Sequence, residues 1–205
     1  MLKSIGIFGG AFDPIHKGHI ESILYVASMF NFKHIEVIPS YSPNHKNSFK
    51  ASPSHRLAMV NLAFDKYKDI LVNDTEIIRK GISYTIDTLS ELRKQRGSNQ
   101  HFSLIIGYDS LLSFTDWKDW ENILNYSSIL VLRREAKGEL DKKLLNFITE
   151  DEMQFITNHG YIYISDNKLI EASSTDIKKQ LLKNKKESNK LVIPVQDYIK
   201  KNSLY

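Results

Sequence analysis

Short runs of apolar and β-branched residues alternate along this chain with stretches whose apolar positions recur every three or four residues. That alternation predicts an α/β domain built on a mostly parallel sheet. The first strand reads as residues 4–8 and runs into Gly9-Gly10. A helix over about 19–30 follows, with Ile20, Ile23, Leu24, Ala27 and Phe30 on one face. A strand at 35–38 stops at Pro39, and 40–53 reads as a polar loop. Ser54 is placed to cap a helix reaching about Tyr67, in which Leu57, Val60 and Phe64 share a face. Residues 70–73 predict a strand, and 86–96 a helix with Leu89 and Leu92 turned inward.

The most apolar strand is 102–106, which predicts a central position, and it ends in Gly107-Tyr108-Asp109. A Trp-rich helical stretch leads to a strand at 128–132, closed by Arg133-Arg134. Residues 135–155 are charged and weakly patterned, so they read as peripheral helix or loop. A strand at 161–165 precedes a helix starting near Ser173, and Pro194 opens a last helix as an N1-type proline. The lysine-rich stretch 183–190 reads as a solvated helix end and turn. No internal repeat is visible, and the 205 residues fit one domain.

Composition narrows the class. Apolar residues make up 41% and charged residues 25%, enough for a buried core. The formal net charge of +4 suits phosphate-bearing ligands but does not by itself argue for nucleic acid. The absence of Cys excludes a disulfide framework, a thiolate zinc site and a Cys nucleophile, and agrees with a reducing cytoplasm. No apolar run approaches the roughly 20 residues that span a bilayer, and residues 1–8 lack a signal peptide's features. The expectation is a cytoplasmic protein with no membrane partner.

The strongest local signal is Gly9-Gly10-Ala11-Phe12-Asp13-Pro14-Ile15-His16-Lys17-Gly18-His19, in which a strand meets a glycine turn and then two histidines at a helix start. Glycines let backbone N–H groups approach an anion, and a helix N-terminus aims partial positive charge at the same place. Imidazoles at His16 and His19 can donate to phosphoryl oxygens. This reads as a phosphate site. It is neither a Walker loop nor a dinucleotide fingerprint, because the residues that define each are missing.

His16-Lys17-Gly18-His19 resembles the His-x-Gly-His motif of the nucleotidyltransferase superfamily. Ser173-Ser174-Thr175-Asp176-Ile177-Lys178 resembles its second motif, with Lys178 where Arg is usual. Ser173 with Asp176 also reads as a helix cap. Within the superfamily the chain is similar to bacterial nicotinate-nucleotide adenylyltransferases over nearly its whole length. The resemblance is carried by Pro43-Asn44-His45-Lys46, by Ser83-Tyr84-Thr85 with Thr88-Leu89, by the run Ile106 to Leu111, by Phe114 with Trp117, Trp120, Ile123 and Leu124, and by Arg133-Arg134.

The resemblance implies a Rossmann-like nucleotidyltransferase fold, a twisted parallel sheet with helices on both faces, in one domain whose 166–205 segment closes the phosphate site. It implies that ATP and nicotinate mononucleotide give nicotinate adenine dinucleotide and pyrophosphate, a step of NAD biosynthesis. Gly9, Gly10, Ala11 and Phe12 would then line the nucleotide site, and His16 and His19 would face the ATP phosphates. Gly107 and Asp109 would hold adenosine, although Asp109 also reads as a helix cap. Ser174, Thr175 and Lys178 would close over the phosphates, and His45 and Lys46 would meet phosphate from an opposite loop. Trp117 would stack on the pyridine ring, with one of Trp117 and Trp120 packing and the other binding. The backbone of Thr85 and Lys118 would receive the nicotinate carboxylate. Mg²⁺ would arrive with ATP, with no dedicated metal site. A sister enzyme using another phosphate acceptor is one alternative, and a non-catalytic nucleotide sensor or nucleic-acid module is another.

Overall fold

A computed structural model describes residues 3–43, 49–133, 138–165, 173–183 and 188–205. The chain runs β1 (Ile5–Gly10), α1 (Lys17–Met29), β2 (His34–Pro39), β3 (Ser42–Pro43), α2 (Pro53–Phe64), β4 (Ile70–Val72), α3 (Thr75–Arg79), β5 (Ile82–Ser83) and α4 (Thr85–Arg96). It continues through β6 (Phe102–Gly107), α5 (Tyr108–Leu112), α6 (Trp120–Tyr126), β7 (Ser128–Leu132), α7 (Glu152–Thr157), β8 (Ile162–Ser165), α8 (Ser174–Lys183) and α9 (Ile193–Lys201). Short 3-10 turns at Phe114–Asp116 and Lys142–Phe147 join these elements.

Six strands form one sheet in the order β4-β2-β1-β6-β7-β8, and every pairing is parallel. Helices cover both faces, so strand residues are buried on each side and alternate between two cores. Phe8, Val37, Ile105 and Leu130 join Ile20, Ile23, Met59, Phe64 and Ile199 on one face. Ile7, Ile38, Leu104, Ile106 and Val131 join Leu89, Leu92, Ile123 and Leu124 on the other. Each such fully buried aliphatic or aromatic side chain contributes about 1.5–3 kcal/mol.

The strand order positions the site. From β1 the chain steps outward to β2 and β4, then crosses back to β6 and proceeds to β7 and β8. The direction of winding reverses between β1 and β6, where open parallel sheets bind ligands beyond the carboxyl ends of their strands. The two strands pair over Ile5–Ile7 and Phe102–Leu104 only, and their glycine-bearing ends, Gly9-Gly10 and Gly107, flank the opening.

Several local expectations are corrected. The stretch 40–53 is not all loop, because Ser42 and Pro43 pair in parallel with Ile82 and Ser83. Helix α2 is capped by Ser52, not Ser54. Its side chain accepts from the His55 N–H, and Pro53, which has no N–H to leave unpaired, occupies the first turn. The buried face of α2 is Arg56, Met59, Val60, Ala63 and Phe64, with Leu57 only half-buried. In α1 the stripe is Ile20, Ile23 and Val26, and Ala27 is exposed. Pro194 is the second residue of α9. Leu144 and Phe155 are core residues, so the segment around them is not merely peripheral. Among the described residues no helix is long and apolar enough to cross a membrane.

Candidate active site

At the end of β1 the backbone turns its carbonyls inward. The Gly10 carbonyl accepts from both the N–H and the hydroxyl of Ser40. The Ala11 carbonyl accepts from Nη1 of Arg56, a fully buried side chain whose Nη2 donates to the Tyr41 carbonyl. In a trans peptide the following N–H points the opposite way, so the N–H groups of Ala11 and Phe12 turn away from these partners. Phe12 holds a left-handed φ of 47°, uncommon for a non-glycine residue. Its ring is buried at centroid distances of 5.9 Å from Phe8 and 5.2 Å from His19.

The two histidines form the start of α1. His16 is the N-cap and its Nδ1 accepts the His19 N–H at 3.3 Å. His19 is the third helical residue and its Nδ1 accepts the His16 N–H at 3.3 Å. This is a capping box with imidazoles in place of hydroxyl and carboxylate. Because both Nδ1 atoms accept, the proton of each neutral ring is assigned to Nε2, which makes each ring a donor there. His16 is buried and His19 half-buried.

Asp13, between the glycine turn and the histidines, gathers three distant segments. Its Oδ1 accepts from the Ala51 N–H at 3.1 Å and the Tyr205 hydroxyl at 2.7 Å, and its Oδ2 from the Lys50 N–H and Lys178 Nζ, each at 3.1 Å. Burial alone would raise its pKa, but the donors from Tyr205, Lys50, Ala51 and Lys178 outweigh this and hold it below the ordinary carboxylate value. Burial pushes the Arg56 guanidinium down, opposed by the nearby Asp13 charge. Ser174 donates to the Pro14 carbonyl at 3.3 Å, which docks the start of α8 against the same turn.

A cavity of about 640 Å³ opens at the switch point. Gly9, Gly10, Ala11 and Asp109 line one part of it, and Glu76, Ser83, Tyr84, Thr85, Trp117 and Lys118 another. Thr85 is the first residue of α4, and among the described residues no side chain caps that helix. Its leading N–H groups therefore form an electropositive end without a side-chain cap. Lys118 Nζ lies 3.1 Å from both Asp87 oxygens and 4.4 Å from the Tyr84 ring centroid. Glu76 is buried and accepts from Thr88 Oγ1 at 2.6 Å. Burial pushes its pKa up, against Ser83, Thr88 and Arg79.

The structure thus brings Gly9, Gly10, Ala11, Asp109, Thr85, Trp117 and Lys118 to one cavity. His16, His19, Phe12, Ser174 and Lys178 stand together around Asp13 and the α1 start rather than in the cavity lining, and Gly107 ends β6 with Asp109 in the next turn. Trp117 follows a 3-10 turn in extended conformation, which corrects the helical reading, whereas Trp120 lies in α6 and packs on Phe114 and Phe147. His45, Lys46 and Arg134 lie outside the described residues. Sequence reasoning missed Asp13, Arg56, Glu76 and Tyr205 as parts of the site's framework. Asp13 alone had a signal, its place inside the glycine–histidine run.

A parallel sheet with its glycine turn at the switch point thus feeds a helix capped by His16 and His19. Residues 7–180 match the cytidylyltransferase-like family. The chain is 36% identical to the probable nicotinate-nucleotide adenylyltransferase of Legionella pneumophila, with all of both chains covered. It is 33% identical to that of Pseudoalteromonas atlantica, covering 100% of this chain and 96% of the relative. Its fold is like that of Plasmodium falciparum nicotinic acid mononucleotide adenylyltransferase complexed with NaAD, with a TM-score of 0.74 at 19% identity over 98% of this chain and 96% of that one. The chain belongs to the nicotinate-nucleotide adenylyltransferase family of nucleotidyltransferases.

Proposed function

We propose that the chain, acting as one domain in the cytoplasm, joins ATP and nicotinate mononucleotide into nicotinate adenine dinucleotide and pyrophosphate. The observation that carries this reading is the shared cavity. One part of its lining is the glycine turn with Asp109, fit for a nucleotide, and another is the α4 start with Trp117 and Lys118, fit for an anionic aromatic ring. A phosphate oxygen of the mononucleotide bonds to the ATP α-phosphorus, and the bond from that phosphorus to the β-phosphate bridging oxygen breaks in line. No protein nucleophile is required, in keeping with a chain that has no Cys.

The protein's part is to hold two anions together and stabilise charge spreading over the α-phosphoryl oxygens. His16 and His19 donate from Nε2, and the Ala11 and Phe12 N–H groups add fixed dipoles. Asp109 accepts from a ribose hydroxyl, Gly107 leaves room for the adenosine, and Ser174, Thr175 and Lys178 contact phosphate. Thr85 and Lys118 receive the nicotinate carboxylate, Trp117 stacks on its ring, and His45 and Lys46 meet the acceptor phosphate. Mg²⁺ enters as part of the ATP substrate and neutralises charge on its phosphates. Among the described residues no three His, Asp or Glu side chains gather into a metal site.

Pyrophosphate release from ATP tests the reading, run with nicotinate mononucleotide, nicotinamide mononucleotide and phosphopantetheine. Release with the first and little with the third is expected. Preferred turnover of phosphopantetheine, or release with no acceptor dependence, would refute it.

A further inference from the structure

The proposed phosphate contact of Lys178 leaves one group unexplained. Lys178 does not point into open solvent, because its ammonium rests 3.1 Å from Oδ2 of Asp13, whose carboxylate is almost wholly buried. It therefore stands between two anions, Asp13 and an incoming phosphate, and how firmly Asp13 holds it depends on how much of that carboxylate's charge other donors absorb. Two of those donors are the backbone N–H groups of Lys50 and Ala51, fixed by the chain path into α2. The other is the Tyr205 hydroxyl, 2.7 Å from Oδ1 and 192 residues along the chain. The Tyr205 side chain packs against the hydrophobic core that also holds Phe12, Met59 and Ile199, so the hydroxyl is delivered to Oδ1 from a buried scaffold.

We propose that Tyr205 is a positioning residue for the phosphate site: its hydroxyl fixes the Asp13 carboxylate and takes up part of its charge, so that Lys178 is held in place yet released to the ATP phosphates. The proposal rests on the reading of Lys178 as a phosphate ligand. A merely structural tyrosine would act through packing, which Phe preserves. A positioning tyrosine acts through its oxygen alone, and only while Lys178 is present.

The test is a double-substitution cycle on the full chain with Tyr205→Phe and Lys178→Ala, reading KM for ATP and kcat at saturating nicotinate mononucleotide, with thermal melts alongside. Tyr205→Phe is expected to raise KM for ATP by up to about tenfold, the range of a hydrogen bond to a charged group, with kcat within about twofold. In the Lys178→Ala background the same substitution is expected to change nothing further. Equal KM in wild type and Tyr205→Phe, while Lys178→Ala raises it, would overturn the positioning role and leave the phosphate reading intact. Independent, additive effects would overturn it too, by showing that the tyrosine does not act through Lys178. An unchanged KM in Lys178→Ala itself would remove the reading on which the proposal rests.

Discussion

The imidazoles of His16 and His19 stack with ring centroids 3.6 Å apart, each accepting the other residue's backbone N–H through Nδ1. One pair of side chains thereby does two jobs. It satisfies the His16 N–H, shares the His19 N–H with the His16 carbonyl, and assigns the proton of each neutral ring to Nε2. The helix cap and the proposed phosphate contacts therefore fall on the same two residues, and a substitution can separate them.

His19→Ala should lower kcat on the order of 10²–10³-fold by removing a preorganised donor. It should also cost about 0.5–2 kcal/mol through the lost half of the cap, small enough for the fold to persist. His19→Gln restores a side chain that caps well at this helical position, so its thermal stability should recover while its rate does not. Steady-state rates beside circular-dichroism melts check both. Near-normal kcat in the Ala variant would remove His19 from the mechanism.

At Gly107 a Cβ would collide with Oδ1 of Asp109. The obstacle is the end of a side chain, so the carboxylate swings away before the backbone moves. Gly107→Ala should therefore behave as a misaimed Asp109, raising KM for ATP on the order of tenfold with little change in melting temperature. Asp109→Ala should match it, and the combined variant should be no worse than either. Additive losses in that comparison would show that Gly107 matters for another reason.

The parts of this site that a reader can find in the sequence are those whose chemistry is local. Gly9-Gly10 before His16 and His19 marks the proposed phosphate turn because backbone freedom, helix start and imidazole sit within a dozen residues. The alternation of apolar runs gives the sheet for the same reason. Arg56 was illegible: a hydrophobic pattern counts it as solvent-facing, yet it is buried to reach two loop carbonyls. The pairing of Ser42-Pro43 with Ile82-Ser83 is too short for any periodicity to register. Asp13 with Tyr205 is a contact across 192 residues, set by the packing of α9 on α2 rather than by any local rule.

His159 gives the fold a pH dependence away from the cavity. Its ring stacks on His101 at 4.6 Å, and its Nε2 lies 3.2 Å from Arg93 Nη2. Burial, then the neighbouring His101 and Arg93, push its pKa down to about 4. An unfolded chain takes up that proton near pH 6.5, so between pH 6.5 and about 4 the unfolded state binds more protons and stability falls as pH drops. His101, lowered mainly by burial, acts in the same direction. The loss assigned to His159 is up to about 2–3 kcal/mol. Melts from pH 7.5 to 4.5 should show it, and His159→Gln should flatten the profile. A parallel decline in the variant would place the effect elsewhere.

Acceptor choice is the most demanding test of the cavity. Nicotinate and nicotinamide mononucleotides differ only in a carboxylate against a neutral amide. The start of α4 offers backbone N–H groups with no side-chain cap among the described residues, and an acceptor-only carboxylate satisfies them. An amide brings its own N–H₂, leaving a donor facing a donor, at a cost of roughly 1–3 kcal/mol. Preference for the nicotinate form should therefore be at least about tenfold in kcat/KM. Asp87, in the first turn of α4, opposes a carboxylate there, but Lys118 Nζ lies 3.1 Å from both of its oxygens and offsets it. Both groups are exposed, so Lys118→Ala should weaken the preference only about two- to threefold, and less as salt is raised. Trp117→Ala should harm both acceptors alike, because stacking does not read the ring substituent. Comparable kcat/KM for the two mononucleotides in the wild type would show that this half of the cavity does not hold the pyridine carboxylate.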